Sequence, residues 1–342
     1  MRVVGNPLQA KHSPAFEFFR GRRVPCFEKP ERAEFVAKAL LDAGYSIEAP
    51  VEFADEALYA VHSRRYVEFL RGAWSEWLAT GNEGDAFASV WPIRGMRTDH
   101  TPQNFAARLG MYSFDTGSPL CAGTWEAARA GADCALTGAD WLATGESAAF
   151  VLTRPPGHHA GAEFFGGYCF LNNAAIAAQA LRDRGAARVA VLDVDFHHGN
   201  GTQEIFYHRG DVFYASIHGD PATEYPFFLG HADEVGEGAG HGCNLNLPLP
   251  AGAATADWFA ALDVALRRIA GFGAEALVVS LGLDAAEVDP ISKFKLQTTD
   301  FGLLGRKLRS HGLPTLFVLE GGYAVAAIGE NALATVNGFD VA

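Results

Sequence analysis

The chain has 342 residues, 49% hydrophobic and 20% charged. That length fits one large domain or two smaller ones, with ample apolar material for a core; no repeat or Ser/Gly linker splits the chain, so a single domain (1–342) is expected. The formal net charge of −13 disfavours nucleic acid and anionic membrane as partners and favours cationic ligands, although simple solubility accounts for most acidic proteins. The five cysteines form no C-x-x-C pair, so neither a disulfide framework nor a Cys-rich zinc site is expected, and a reducing cytoplasm is the expected location. No apolar run is of spanning length, and the N-terminal residues lack the charged-then-apolar pattern of a secretory signal.

Taken in chain order, the first distinctive segment is 80–104. It carries Gly81, Gly84, Pro92, Gly95 and Pro102 with no helix or strand period, which predicts a long inserted loop. Its Phe87, Val90, Trp91, Ile93 and Met96 call for a covering surface, either a second subunit or the chain's own core. Apolar runs at 149–152, 189–192, 212–215, 276–281 and 315–319 follow, each reading as a strand buried on both faces. Ala-rich helical stretches at 173–184, 258–271 and 301–310 lie among them. Such alternation predicts an α/β fold, a mostly parallel central sheet with helices on both faces.

Ligands of open α/β sheets bind beyond the carboxyl ends of the strands, so the residues after each run matter most. Behind the first run come Arg154-Pro155-Pro156-Gly157-His158-His159; behind the second, Asp193-Val194-Asp195-Phe196-His197-His198-Gly199-Asn200-Gly201. Gly282-Leu283-Asp284 and Glu320-Gly321-Gly322-Tyr323 end the last two. A lone histidine in a loop is usually only a satisfied polar residue, but four convergent strand ends carrying histidines, aspartates and a tyrosine suggest a metal-dependent site. Asp195 and His197, two apart, would share one side of an extended segment, and Asp284 would supply a third ligand. Two carboxylates and an imidazole suit Zn²⁺ or Fe²⁺, and a three-residue set leaves room for water and substrate. Asp193, ending a buried run, needs a cation, a histidine donor or both.

These motifs, together with Gly166-Gly167-Tyr168-Cys169-Phe170-Leu171-Asn172-Asn173 and Asp284-Ala285-Ala286-Glu287-Val288-Asp289-Pro290, resemble the zinc-dependent histone deacetylase family, whose members have the arginase/deacetylase fold. Phe27-Glu28-Lys29-Pro30, Val61-His62-Ser63, Val90-Trp91-Pro92 and Gly123-Thr124-Trp125-Glu126-Ala127 look most like the bacterial acetylpolyamine amidohydrolase branch. The resemblance implies zinc on Asp195, His197 and Asp284. It implies His159 as general base, His158 as its neighbour held by Asp193, Asn200 beside His159, and Tyr323 as donor to the oxyanion. Substrate would meet Asp115, Gly167, Tyr168 and Tyr225. Potassium would sit in two places, one at Asp193, Asp195, His197, Ser216 and Ile217, the other at Phe206, Arg209, Val212 and Cys243. The insert at 80–104 would join two copies in a symmetric homodimer and narrow the mouth.

The expected activity is hydrolysis of the acetamide of an N-acetylated polyamine or small diamine. Asp115, Glu224 and the negative field would draw in the distal ammonium. The 105–107 and 116–118 stretches lack the rim glutamates of some polyamine-active relatives, which argues against a preference for long, multiply charged polyamines. Protein-lysine deacetylation is the alternative. A silent metal-binding module would require loss of a catalytic group, and an arginase-like enzyme would require ligands for a second metal; the sequence supports neither.

Overall fold

A computed structural model describes residues 1–340. The chain forms β1 (Arg2–Gly5), a hairpin of β2 (Glu17–Phe19) and β3 (Arg22–Val24), α1 (Glu31–Asp42), β4 (Ile47–Glu48), α2 (Glu56–Tyr59), α3 (Arg64–Ala79), α4 (Phe105–Tyr112), α5 (Thr124–Ala143) and β5 (Ala148–Leu152). It continues through α6 (Asn173–Asp183), β6 (Val189–Asp193), α7 (Asn200–Phe206), β7 (Val212–Gly219), β8 (Asn244–Leu249), α8 (Thr255–Phe272), β9 (Ala276–Leu281), α9 (Thr298–His311), β10 (Thr315–Leu319) and α10 (Val325–Asp340).

Eight strands form one parallel sheet in the order β4-β1-β5-β10-β9-β6-β7-β8, while β2 and β3 pair apart from it. All five apolar runs are strands of this sheet. Alternate residues of β6 show why they carry no polar face. Val189 and Val191 pack with α3 to α6 on one side, and Ala190 and Leu192 pack with α1 and α8 to α10 on the other. The three helical stretches are also present, with α8 and α9 ending at Gly273 and Gly312 in the left-handed conformation that suits glycine. Five strands, β1 to β4 and β8, escaped the sequence reading; β8 has an Asn-Leu-Asn-Leu alternation that suits a sheet edge.

The segment 80–104 holds no helix or strand, yet its base folds back onto the domain. Ala86 and Leu120 exchange backbone hydrogen bonds, Phe87 stacks on Phe16 at 4.9 Å, and Trp91 packs against the core. Val90, Ile93 and Met96 stay exposed. Thus two of the five apolar residues that call for a covering surface find it on the chain's own core.

Candidate active site

The four strands that deliver the His, Asp and Tyr motifs are neighbours at the centre of the sheet: β5, β10, β9 and β6. Their carboxyl ends therefore open onto one spot. Asp195, His197 and Asp284 are buried, and one ligating atom from each lies within 4.8 Å of the others. The geometry differs from the extended segment that the spacing suggests. The chain bends after Asp193, and Asp195 Oδ1 accepts from the His197 backbone N–H at 2.9 Å, which turns both side chains inward. Asp284 Oδ1 accepts from Phe196 N–H, and Asp195 Oδ2 accepts from Gly321 N–H at 2.8 Å, so three strand ends are laced together.

The donor set fits a divalent cation. His197 Nδ1 points at Asp284 Oδ2 (2.9 Å) and Asp195 Oδ1 (3.3 Å). Burial and then the charge of Asp195 drive the Asp284 carboxyl well above its ordinary range, the mark of two buried acids without enough positive charge between them. A Cβ at Gly321 would stand 2.5 Å from Asp195 Oδ2 and 2.9 Å from Asp284 Oδ2, so only glycine leaves this cradle open.

The paired histidines differ in their partners. His158 Nδ1 donates to Asp193 Oδ2 at 3.0 Å; burial opposes its charge, but Asp193 and Asp195 outweigh that and push the imidazole up to about 10. His159 Nδ1 donates to Asn200 Oδ1 at 2.7 Å, which leaves the lone pair on Nε2. Burial, then the neighbouring His158 and His197, hold His159 well below the ordinary histidine range. Asp193 has the histidine donor that its position requires and a second in Tyr214 OH at 3.1 Å.

Tyr323 is fixed from beneath. Asp289 Oδ2 accepts from its backbone N–H at 2.7 Å, and the Arg32 guanidinium lies 4.8 Å from its ring centre. Arg32 also donates to the carbonyls of Gly322 and Glu320, and Glu28 bridges Arg32 to Arg154 at the start of the His158-His159 loop. Asn172 caps α6 and donates to the Ala160 carbonyl just past His159.

Above this floor lies a pocket of about 360 Å³. Asp115, Gly167, Tyr168 and Tyr225 line it as expected, with His159, His197 and Tyr323 at its base. Asp115 accepts from Gly117 N–H, Gly167 N–H and Tyr225 OH, so its carboxylate is largely occupied in holding the walls. Tyr168 takes the left-handed φ of 68°, held by Ser118 at its N–H and by Glu17 at its hydroxyl. Glu224 is not a free acid: Lys293 Nζ lies 2.5 Å from its Oε1. Sequence reasoning missed Lys293, Glu17, Ile291, Phe227 and the hairpin tip Phe18 to Gly21, which also bound the pocket or brace its wall; none of them sits in a strand-end motif.

Of the residues assigned to potassium, Ser216 and Ile217 are buried on β7 beside Asp193 of β6. Phe206 ends α7, Arg209 lies between it and β7, Val212 begins β7, and Cys243 precedes β8. The Phe206 and Cys243 carbonyls each accept one backbone hydrogen bond, from Arg209 and Tyr214, which leaves each a second lone pair.

The sequence model of the histone deacetylase domain matches residues 26–339. The chain belongs to the histone deacetylase family. Within that family it is 52% identical over 330 residues to acetylpolyamine amidohydrolase 2 of Pseudomonas aeruginosa, covering 96% of each chain. It is 48% identical to the acetylpolyamine amidohydrolase of Mycoplana ramosa, covering 99% of each. The solved acetylpolyamine aminohydrolase of Burkholderia pseudomallei superposes with a TM-score of 0.95 at 42% identity, covering 99% of this chain and 98% of that one. The chain thus has the family's fold and resembles its acetylpolyamine amidohydrolase branch along nearly its whole length.

Proposed function

We propose that the protein hydrolyses the acetamide of N-acetylated polyamines or small diamines, releasing acetate and a free amine. The observation that carries this reading is one buried pocket base holding the Asp195–His197–Asp284 set, a neutral His159 and the Tyr323 hydroxyl together. A divalent ion, zinc by family resemblance, would polarise the acetamide carbonyl and acidify the attacking water. His159 Nε2, unprotonated and oriented by Asn200, takes the water's proton. The charged His158, held by Asp193, keeps a proton available beside the leaving amine. Tyr323 donates to the oxygen on which negative charge develops.

The narrow aromatic pocket favours a slim acetylated amine over a peptide chain. Exposed Val90, Ile93 and Met96 support a homodimer through the insert, with each copy's 80–104 segment beside the other's mouth. Potassium at the Asp193 and Cys243 positions completes the proposed ion content. Among the described residues no helix is long and apolar enough to cross a membrane, and all five cysteines are free, which supports a cytoplasmic setting.

Turnover of acetylputrescine, acetylcadaverine, acetylspermidine and an acetyl-lysine peptide by purified protein, with metal content measured alongside, tests the reading. The small acetylated amines should be the better substrates, with about one divalent ion per chain. A clear preference for the peptide by a monomer would replace it with protein-lysine deacetylation.

A further inference from the structure

The mouth of the pocket carries an ion pair that the chemistry of its floor does not use. Glu224 lines the pocket next to Tyr225 and is only 4% exposed, whereas the Lys293 side chain that reaches its Oε1 at 2.5 Å is 45% exposed. A buried carboxylate requires a cationic partner, and an exposed lysine on a flexible stem is a replaceable one. Thr223 Oγ1, at 3.2 Å, also donates to the same oxygen. Asp115, the other acid on the pocket wall, accepts from two backbone N–H groups and the Tyr225 hydroxyl, so it is poorly placed to take a further donor.

We propose that Glu224 is the residue that reads the distal ammonium of the acetylated diamine, and that Lys293 is its resident counter-ion, displaced when that ammonium arrives. The proposal rests on the amide-hydrolase reading above and adds to it the group that senses the substrate's far end. The exchange replaces one ammonium by another on a single carboxylate, so no bond is made or broken. Because the substrate's cation must compete with Lys293, the native enzyme gains only modestly from a charged tail. That competition makes the pair a brake on charge selectivity, with Lys293 as the setting.

The test compares N-acetylcadaverine with N-hexylacetamide, which carries a methyl where the former carries its ammonium. Lys293→Met should raise kcat/KM for the charged substrate relative to the neutral one by about three- to ten-fold, through KM with kcat unchanged. Glu224→Gln removes the buried charge, does not need Lys293 for folding, and leaves that lysine to repel the ammonium; the same ratio should fall below the native value. If both amides are hydrolysed and neither variant moves the ratio, the proposal is overturned while the hydrolase reading stands. If the metal-loaded native enzyme hydrolyses neither amide nor any acetylated amine of the wider panel, the hydrolase reading falls and takes the proposal with it.

Discussion

The floor of the pocket and its mouth are built on different principles. The floor comes from four adjacent strands of one sheet, and its Asp, His and Tyr residues are no more than 8% exposed. Each is held by at least one backbone or buried side-chain partner. The mouth comes from the β2–β3 hairpin, the turn at 223–227 and residues near 291–293, with Phe18 37% and Phe227 47% exposed. A rigid base suits chemistry that tolerates little misplacement, whereas a rim of separate loops can be altered without touching that geometry. Changes at the floor should therefore act on kcat, metal binding or folding, and changes at the mouth on KM and substrate choice.

The largest effects should come from the floor. Asp284→Asn should lose the divalent ion and with it activity, read by elemental analysis and turnover; full occupancy in the variant would contradict the ligand assignment. Tyr323→Phe should keep both fold and ion yet reduce kcat by about 10²–10³, with a smaller change in KM. An unchanged kcat would remove the hydroxyl from the mechanism.

Next comes the support beneath the floor. Burial opposes ionisation of Glu28, but Arg154 and Arg32 outweigh it and hold the carboxyl below its ordinary value. Glu28→Gln would leave two fully buried guanidinium groups without their shared anion, a loss of about 3 kcal/mol in unfolding free energy. Urea denaturation measures it, and a stability within about 0.5 kcal/mol of native would show that the Arg32–Glu28–Arg154 chain does not hold the Tyr323 loop to the His158-His159 loop.

The same division explains what the sequence disclosed. Every floor residue follows an apolar run within a few positions, so locating the run locates the residue, and the family motifs then supply the role. The mouth offers no such handle. Glu224 and Lys293 are 69 positions apart and meet only in the folded chain. The hairpin strands have three residues each, too few for a period, and Phe18 looks like any surface aromatic until Phe87 is placed against it. The bend at Asp195–His197 is hidden for another reason: a spacing of two fits a strand and a turn equally well.

A smaller effect sits at the boundary of the two regions. Burial raises the Glu17 carboxyl to about 7, against the pull of hydrogen bonds from Tyr168 OH and Phe27 N–H. A carboxyl whose pKa is higher in the folded state holds its proton more tightly there. Its contribution is therefore fully present below its unfolded pKa near 4.5 and is lost as pH rises through about 7. Glu17→Gln should thus be more stable than native at pH 8, by about 1–3 kcal/mol, with the difference closing toward pH 4. Paired denaturation curves at the two pH values check the sign, and a gap that widens on acidification would contradict it.

The mildest test concerns how the insert bears on the mouth. A two-stranded hairpin of this size is marginal by itself. Here Phe87, at the base of the 80–104 segment, stacks on Phe16 at 4.9 Å and meets Phe18 edge-on at 5.2 Å. Arg23 lies 3.9 Å from the Phe16 ring centre, extending the same cluster. The pocket takes Phe18, Phe19, Arg20 and Gly21 from this hairpin, so the stack links the insert to the shape of the entrance. Phe87→Ala removes the shared ring, and each aromatic pair is worth about 0.5–1.5 kcal/mol beyond its buried area. The hairpin should open locally while the sheet stays intact. Amide exchange across 17–24 should quicken, and KM for a small acetylated diamine should rise about two- to five-fold, with kcat unchanged because His159 and Tyr323 rest on other supports. Were kcat to fall with KM steady, the hairpin would belong to the floor, and the separation between rigid base and adjustable rim would fail at this point.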